Sequence, residues 1–180
     1  METGPPARTI KPADASVRTA TAADMQALND IYNEYVVTTH YTFDVEPMSM
    51  DARHEWLNHH SGEGRHRVVV ALAGGAVIGY ASSSRFRPKP AYETSVETSV
   101  YVASDAVGLG VGNKLYAALF GQLEKEDVHR AYAGIALPNP ASIALHERFG
   151  FKKVGHYTEQ GRKFDRYWDV AWFEKALRGG

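Results

Sequence analysis

The chain has 180 residues, of which 44% are hydrophobic, and it contains no cysteine. Its length predicts one compact domain, and the lack of cysteine excludes a disulfide framework, a thiolate zinc site, an iron–sulfur cluster and a cysteine nucleophile. The 20 Lys and Arg residues nearly balance the 21 Asp and Glu residues, which argues against a protein that coats nucleic acid or an anionic membrane. We therefore expect neither nucleic acid nor a membrane as a partner.

The first 15 residues differ in character from the rest of the chain. They include Pro5, Pro6 and Pro12 and offer little apolar surface, so we predict a flexible leader over residues 1–15 and a single domain over residues 16–177. No apolar stretch resembles a secretion signal or reaches the roughly 20 residues of a membrane span. Together with the lack of cysteine, this favours a cytoplasmic enzyme.

The N-terminal part of the domain is predicted to hold one short strand and two helices. After a strand at 17–20, Thr21 and Asp24 form an approximate capping box ahead of a helix. Apolar residues at helical spacing carry this helix to Tyr35. Ser49 is a good N-cap for the second helix.

The rest of the domain alternates between strands and helices. Gly74 and Gly75 are typical of a hairpin turn, and a leucine stripe that begins at Leu115 predicts a helix, as does the segment 139–149, which ends at Gly150. Strands are predicted at 66–73, 76–86, 94–103, 131–137, 151–157 and 164–173. The order β-α-α-β-β-β-α-β-α-β-β indicates a mixed α/β fold with antiparallel hairpins and one or two parallel crossovers.

A glycine-rich segment stands between a predicted strand and a helix. It reads Val107-Gly-Leu-Gly-Val-Gly-Asn113, and glycines before a helix N-terminus bring several N–H groups together, which suits a phosphate or pyrophosphate. The spacing fits neither a Rossmann fingerprint nor a Walker loop. A tight turn without a ligand is the alternative.

A second motif lies on the following helix. The sequence Asn139-Pro-Ala-Ser-Ile-Ala-Leu-His-Glu-Arg-Phe-Gly-Phe151 describes a helix with an Asn cap and a Gly stop. Alone, its apolar residues Leu145 and Phe149 indicate core packing.

Together the two motifs resemble the GNAT superfamily of acyl-CoA-dependent N-acyltransferases. The superfamily's loop has the form Gln/Arg-x-x-Gly-x-Gly/Ala, and its next helix has the form Asn-x-x-Ala-x-x-Leu-Tyr-x-x-x-Gly-Phe. IYNEYV at 31–36, the AY and VETSVYV segments within 91–102, and KFDRYWDVAWF near the C-terminus are similar to the phosphinothricin acetyltransferase branch. The resemblance covers residues 16–177. It implies a mostly antiparallel, splayed central sheet flanked by helices, and a homodimer.

This resemblance implies acetyl-CoA as the cosubstrate and no metal. Two positions depart from the superfamily: Val107 replaces the usual Gln or Arg, which predicts weaker acetyl-CoA binding, and His146 replaces the common tyrosine, as in the phosphinothricin branch. The residues expected to bind acetyl-CoA are Val100, Tyr101, Val102, Val107, Gly108, Leu109, Gly110, Val111, Gly112, Asn113, Asn139 and Ser142.

Direct acetyl transfer to an amine needs a base, because an amine is mostly protonated at pH 7. Strand alternation places Glu97 on one face with Ser99 and Tyr101, and the resemblance makes Glu97 the candidate general base. The alternative is an exposed strand carboxylate paired with an arginine. His146 is the candidate proton donor to the CoA thiolate, or else a structural histidine.

The acceptor is expected to be a small, anionic, amino-acid-like amine such as phosphinothricin, methionine sulfoximine or methionine sulfone. Arg85 and Arg87, beside Lys89, would bind its anionic group, with Phe43 and Tyr92 completing the site. A charged strand end and simple loop packing are the alternative interpretations.

Other functions remain open on the sequence. The acceptor is alternatively a peptide N-terminus, a polyamine or an antibiotic. A catalytically weak acyl-CoA-binding module and a nucleotide-binding structural domain are the non-enzymatic alternatives. The histidines near His54 and His60 lack the spacing of a zinc-binding HExxH helix, so we interpret them as a polar helix face.

Overall fold

We analysed a computed structural model of the protein, in which residues 15–178 are described. The predicted leader therefore falls, except for Ala15, outside the described residues. The helices are α1 (Met25–Thr38), α2 (Met50–Asn58), α3 (Val111–Leu123) and α4 (Pro140–Arg148). The strands are β1 (Ser16–Thr19), β2 (Arg67–Ala73), β3 (Ala76–Arg85), β4 (Ser95–Val102), β5 (Arg130–Ala136), β6 (Lys152–Lys163) and β7 (Arg166–Ala176). Both the element order and the mixed α/β class are confirmed.

The predicted capping residues mark the helix starts. The Thr21 N–H donates to Asp24 at 2.7 Å just before α1, and the Ser49 hydroxyl accepts from the Ala52 N–H at the start of α2. Asn139 accepts from the Ser142 N–H at 3.1 Å and so caps α4. These bonds satisfy N–H groups that a helix start would otherwise leave unpaired.

The strands form one 7-stranded sheet in the order β1-β2-β3-β4-β5-β7-β6. Every neighbouring pair is antiparallel except β4 and β5, which are parallel. One core cluster packs α3 and α4 against one face of the sheet, and a second packs α1 and α2 against the other. Between residues 15 and 178, no helix is both long and apolar enough to cross a membrane.

The last hairpin differs from the sequence prediction. The strand predicted at 151–157 continues as β6 to Lys163, and Phe164, predicted as the first residue of the last strand, lies in the turn with Asp165 at φ values of 53° and 55°. Two successive positive φ angles make the tight turn that suits a twisted hairpin. Such turns usually carry Asn-Gly or Asp-Gly, so Phe-Asp gives no turn signal. β6 also has a bulge between Tyr157 and Gly161.

Candidate active site

The sheet opens between its two parallel strands. β4 and β5 pair only at Ser95–Arg130, Val96–Ala131 and Glu97–Tyr132, and beyond Glu97 the strands diverge. A cavity of about 740 Å³ lies in this opening, lined by residues 98–102 of β4, residues 133–136 of β5 and the starts of α3 and α4. A volume of this size is typical of small-molecule and cofactor sites.

The glycine-rich loop forms one end of this cavity. Gly108 and Gly110 have φ angles of 81° and 78°, and Gly110 is the N-cap of α3. The N–H groups of Val111 and Gly112 are in the first turn, where helix geometry supplies no partner. Free N–H groups and the helix dipole together favour a phosphate at this position.

Three residues of the loop have different surroundings. Val107 is 55% exposed at the cavity rim, so the valine removes a side-chain donor without closing the site. Leu109 packs against the core instead of lining the cavity. A Cβ on Gly112 would lie 3.1 Å from a methyl group of Leu145, so this glycine lets α4 approach α3 closely.

The diverging part of β4 forms one wall of the cavity. Val100, Tyr101 and Val102 pair with β3 on one side, and their other side faces the space that β5 has left. An extended amide chain can add to such an edge as a strand would. The hydroxyl of Tyr35, on α1, donates to the Val102 carbonyl at 2.7 Å.

Glu97 faces a second, smaller cavity of about 180 Å³ on the α1 side of the sheet. Burial raises the pKa of the Glu97 carboxyl, and the nearby Arg87 guanidinium partly opposes this effect. The two cavities share Tyr41, Gly134 and Ala136 in their linings, so they adjoin each other at these residues. The other lining residues of the smaller cavity are Phe43, Gln160, Val170 and Trp172.

The hairpin of β6 and β7 holds Phe43 in this smaller cavity. A Cβ on Gly161 would lie only 2.5 Å from Cδ2 of Phe43, so the ring packs directly on the glycine backbone. Lys163, only 4% exposed, donates from Nζ to the Thr42 carbonyl at 2.8 Å. The loop after α1 is thereby fixed on the sheet.

The predicted arginine cluster divides into two parts. The Arg87 guanidinium lies 5.7 Å from the ring centre of Trp172, which lines the smaller cavity. Arg85 bonds instead to the carbonyl oxygens of Arg87 and Pro88. Neither of the two cavities is lined by Arg85, Arg87 or Tyr92, but Arg87 is close enough to Glu97 to lower the pKa of its carboxyl. Arg87 is therefore the better placed of the two arginines for an acceptor.

His146 lines the larger cavity but is 3% exposed, and both ring nitrogens have partners. Nδ1 lies 2.7 Å from the Ser142 carbonyl oxygen, and Nε2 lies 2.8 Å from the Tyr116 hydroxyl. Because a carbonyl only accepts, Nδ1 carries the proton and Nε2 accepts from Tyr116. Burial lowers the pKa of His146, which favours this neutral form.

Comparisons with known proteins agree with this geometry. The acetyltransferase (GNAT) domain family matches residues 17–172. A phosphinothricin N-acetyltransferase from Streptomyces coelicolor is 54% identical over 167 residues, which are 92% of this chain and 98% of that protein. The chain belongs to the GNAT acetyltransferase family.

Two further similarities support this assignment. An L-methionine sulfoximine/L-methionine sulfone acetyltransferase from Pseudomonas paraeruginosa is 35% identical over 91% of this chain and 95% of that protein. A phosphinothricin acetyltransferase from Sinorhizobium meliloti, crystallised with acetyl-CoA, has a TM-score of 0.87 and 36% identity, covering 91% of this chain and 89% of that chain. The predicted family and enzyme class, an N-acetyltransferase, are confirmed.

Sequence reasoning missed several residues of this acetyltransferase's two cavities. Tyr41 lies in both cavities, and Gln160 and Trp172 lie in the smaller one. Trp172 stood on an alternating aromatic strand, which gave some signal. Gln160 reaches the cavity through the bulge in β6, and no sequence pattern indicated that bulge. Among residues 15–178, no cluster of three His, Asp or Glu side chains is arranged to hold a metal ion.

Proposed function

We propose that this protein transfers the acetyl group of acetyl-CoA directly to the amine of a small amino-acid-like acceptor of the phosphinothricin, methionine sulfoximine or methionine sulfone type. The observation that carries the proposal is the junction of two cavities at Tyr41, Gly134 and Ala136, with Glu97 on the smaller side. Relatives named for such acceptors align with more than nine-tenths of the chain.

The larger cavity fits acetyl-CoA. In the proposed complex, the N–H groups at the start of α3 hold the pyrophosphate, with Gly108 and Gly110 giving the loop its turn. Val100, Tyr101 and Val102 present backbone groups to the pantetheine arm. Asn139 and Ser142 lie in the same cavity. The Asn139 carboxamide oxygen caps α4, so its amide nitrogen is the part that faces a ligand.

Glu97 is proposed as the general base. It takes a proton from the acceptor ammonium, and the freed amine attacks the thioester carbonyl. The C–N bond forms as the C–S bond breaks, and the second proton on the new amide nitrogen passes to the departing CoA thiolate, so that the products are the neutral amide and CoA thiol. A raised pKa brings a carboxylate closer to the strength that this proton transfer needs. The backbone of Glu97 is paired on both sides, by Ser84 and by Tyr132, which fixes the position of the base.

The smaller cavity is proposed as the acceptor site. Its volume of about 180 Å³ suits an acceptor of about the size of an amino acid. Phe43 and Trp172 supply apolar walls, and Arg87 supplies the positive charge for an anionic group. Arg85 and Tyr92 stay predicted acceptor ligands, and both, like Arg87, would need to reach the site from outside its lining.

His146 stays a candidate donor to the CoA thiolate. Its contacts also have a structural explanation: the bond with Tyr116 of α3 holds α4 against α3, and the bond to the Ser142 carbonyl fixes the ring within α4. With the proton on Nδ1, Nε2 first has to gain a proton before it can donate one to the thiolate.

Assembly and location form a separate part of the proposal. A homodimer is supported by exposed apolar side chains on the hairpin at the sheet edge, which are Val154, Tyr157, Phe164 and Tyr167. A cytoplasmic location is supported by the use of acetyl-CoA, a metabolite of the cell interior. We also propose residues 16–177 as the single catalytic domain, with the segment 1–15 as a leader to it.

The experiment that tests the proposal is a screen of amines with acetyl-CoA, in which the reaction rate is measured from the release of CoA thiol. We expect turnover with phosphinothricin and the methionine derivatives and little with polyamines or peptides. Glu97→Gln should lower kcat by about 10²- to 10⁴-fold, the usual contribution of a general base. A preference for peptide N-termini, or a Glu97→Gln variant of normal rate, would refute the corresponding part of the proposal.

A further inference from the structure

A hydrogen-bonded histidine and serine lie beside Glu97 and have no part in the reaction described above. Ser84 on β3 is the register partner of Glu97 on β4, so both side chains point to the same face with Cβ atoms about 5 Å apart. His60 follows α2 on that face. Its Nε2 lies 3.0 Å from the Ser84 hydroxyl oxygen.

The direction of these hydrogen bonds is fixed by a backbone carbonyl. His60 Nδ1 lies 2.8 Å from the carbonyl oxygen of Trp56, which can only accept, so Nδ1 carries the proton. Burial lowers the pKa of His60 to about 4, and a neutral imidazole has a single N–H. Nε2 is therefore an acceptor, and the Ser84 hydroxyl donates its only proton to it.

We propose that His60 and Ser84 are positioning residues for Glu97: the imidazole turns the Ser84 proton away, so that Ser84 offers the Glu97 carboxyl only an acceptor. The inference rests on the proposed role of Glu97 as the base. A protonated Glu97 carboxyl that turns toward its register partner meets an acceptor in Ser84, whereas an ionised carboxylate in the same position meets no donor. A serine hydroxyl that was free to rotate would instead donate to the carboxylate and make Glu97 a weaker base.

The other groups around Glu97 show why this orientation matters. Gln160 of β6 and Trp172 of β7 carry no charge. Among the described residues, Arg87 from the β3–β4 loop is the charged group that acts on Glu97. Tyr41 lines the same cavity, and Tyr132 is the register partner of Glu97 on β5. His60, which bonds to Ser84, is itself influenced by His66, His59 and Arg53, all of which favour its neutral form. Arg87 favours the ionised carboxylate. A donated hydrogen bond from Ser84 would add to this effect, and the bond to His60 prevents it.

The test measures the pKa of Glu97 directly, from the pH dependence of its side-chain ¹³C carboxyl signal in the full chain, assigned with Glu97→Gln. His60→Asn keeps a donor near the Nδ1 position but loses the acceptor, so the freed Ser84 should donate and lower the Glu97 pKa by about one unit. His60→Gln, which keeps an acceptor near the Nε2 position, is the matched control and should leave the pKa unchanged.

Ser84→Ala gives an independent sign. If Ser84 only accepts, its removal takes away a partner of protonated Glu97, and the Glu97 pKa falls slightly. If Ser84 donates to the carboxylate, the same removal raises that pKa and overturns the inference. In the double variant of His60→Asn and Ser84→Ala, the Glu97 pKa should return to the value of Ser84→Ala alone.

Rates separate this inference from the proposed function. If Glu97→Gln removes the acid limb of kcat against pH but His60→Asn leaves the Glu97 pKa unmoved, the inference fails and the base role stands. If Glu97→Gln keeps a normal rate, both fail. The supporting result is a downward shift of the acid limb in His60→Asn that matches the shift in the carboxyl titration.

Discussion

Gly161→Ala tests whether the β6–β7 hairpin shapes the acceptor site. Ordinary contact begins near 3.4 Å, and the new Cβ would lie 2.5 Å from Cδ2 of the Phe43 ring and closer still to Cε2, so the ring has to withdraw by about 1 Å. Thr42 is held by Lys163, so the ring moves and the loop stays. An aromatic wall contact is worth about 1 kcal/mol, and its loss corresponds to about a fivefold rise in KM for the acceptor.

The assay is steady-state release of CoA thiol, with phosphinothricin or methionine sulfone varied at saturating acetyl-CoA, and then acetyl-CoA varied at saturating acceptor. The acceptor KM should rise and the KM for acetyl-CoA should stay unchanged. Gly155→Ala is the matched control on the same strand, because its Cβ would lie 3.7 Å from Cβ of Trp172, an ordinary contact. Equal effects of both variants, or a change confined to acetyl-CoA, would refute the reasoning.

Three further substitutions probe other parts of the molecule. Arg87→Ala should raise the acceptor KM by about tenfold or more, because a charged hydrogen bond to the acceptor is lost. It should also move the acid limb of kcat to higher pH, because Arg87 lowers the pKa of Glu97. Arg85→Ala is the control and should change neither quantity in the same kinetic assay. Gly110→Ala should lower the free energy of unfolding in urea by about 1 kcal/mol, since φ is 78° with open space around it and the backbone strain is present in the folded protein with or without acetyl-CoA. Asp24→Asn should make the free energy of unfolding in urea fall less steeply as the pH is lowered. Arg18 lowers the pKa of Asp24 in the folded protein. The ion pair therefore stabilises the fold fully above the unfolded pKa of 3.8, and this stabilisation is lost as the pH falls through the lower folded pKa.

Alternation and glycine spacing predicted the parts of the site that depend on local geometry. Glu97 lies on the face of β4 that alternation assigned to it, with Tyr101 in the α1-side core cluster. Gly108 and Gly110 have the positive φ angles that a turn before a helix requires. These features depend only on neighbours in the chain, so a single sequence carries enough information to predict them.

The acceptor side depends on contacts that local patterns do not determine. Arg85 and Arg87 are two residues apart, which on a strand would place them on one face, but β3 ends at Arg85 and the alternation ends with it. A bulge in β6 turns Gln160 into the cavity, and no recognisable sequence motif marks the position of this bulge. Such placements follow from the pairing of distant strands, and they required the structure.

The last paired residue of the parallel strands explains how one sheet serves two substrates. Glu97 is held by β3 on one side and β5 on the other, so its side chain is mounted on rigid backbone. One residue further on, the bonds to β5 stop, and the freed edge of β4 lines the larger cavity. The strand separation that opens a place for acetyl-CoA therefore begins where the proposed base is fixed. If β4 and β5 separated one residue earlier, Glu97 would lie on the opened edge and would lose its backbone bonds to β5. The length of the parallel pairing therefore sets both how far acetyl-CoA can enter between the strands and where the base is held.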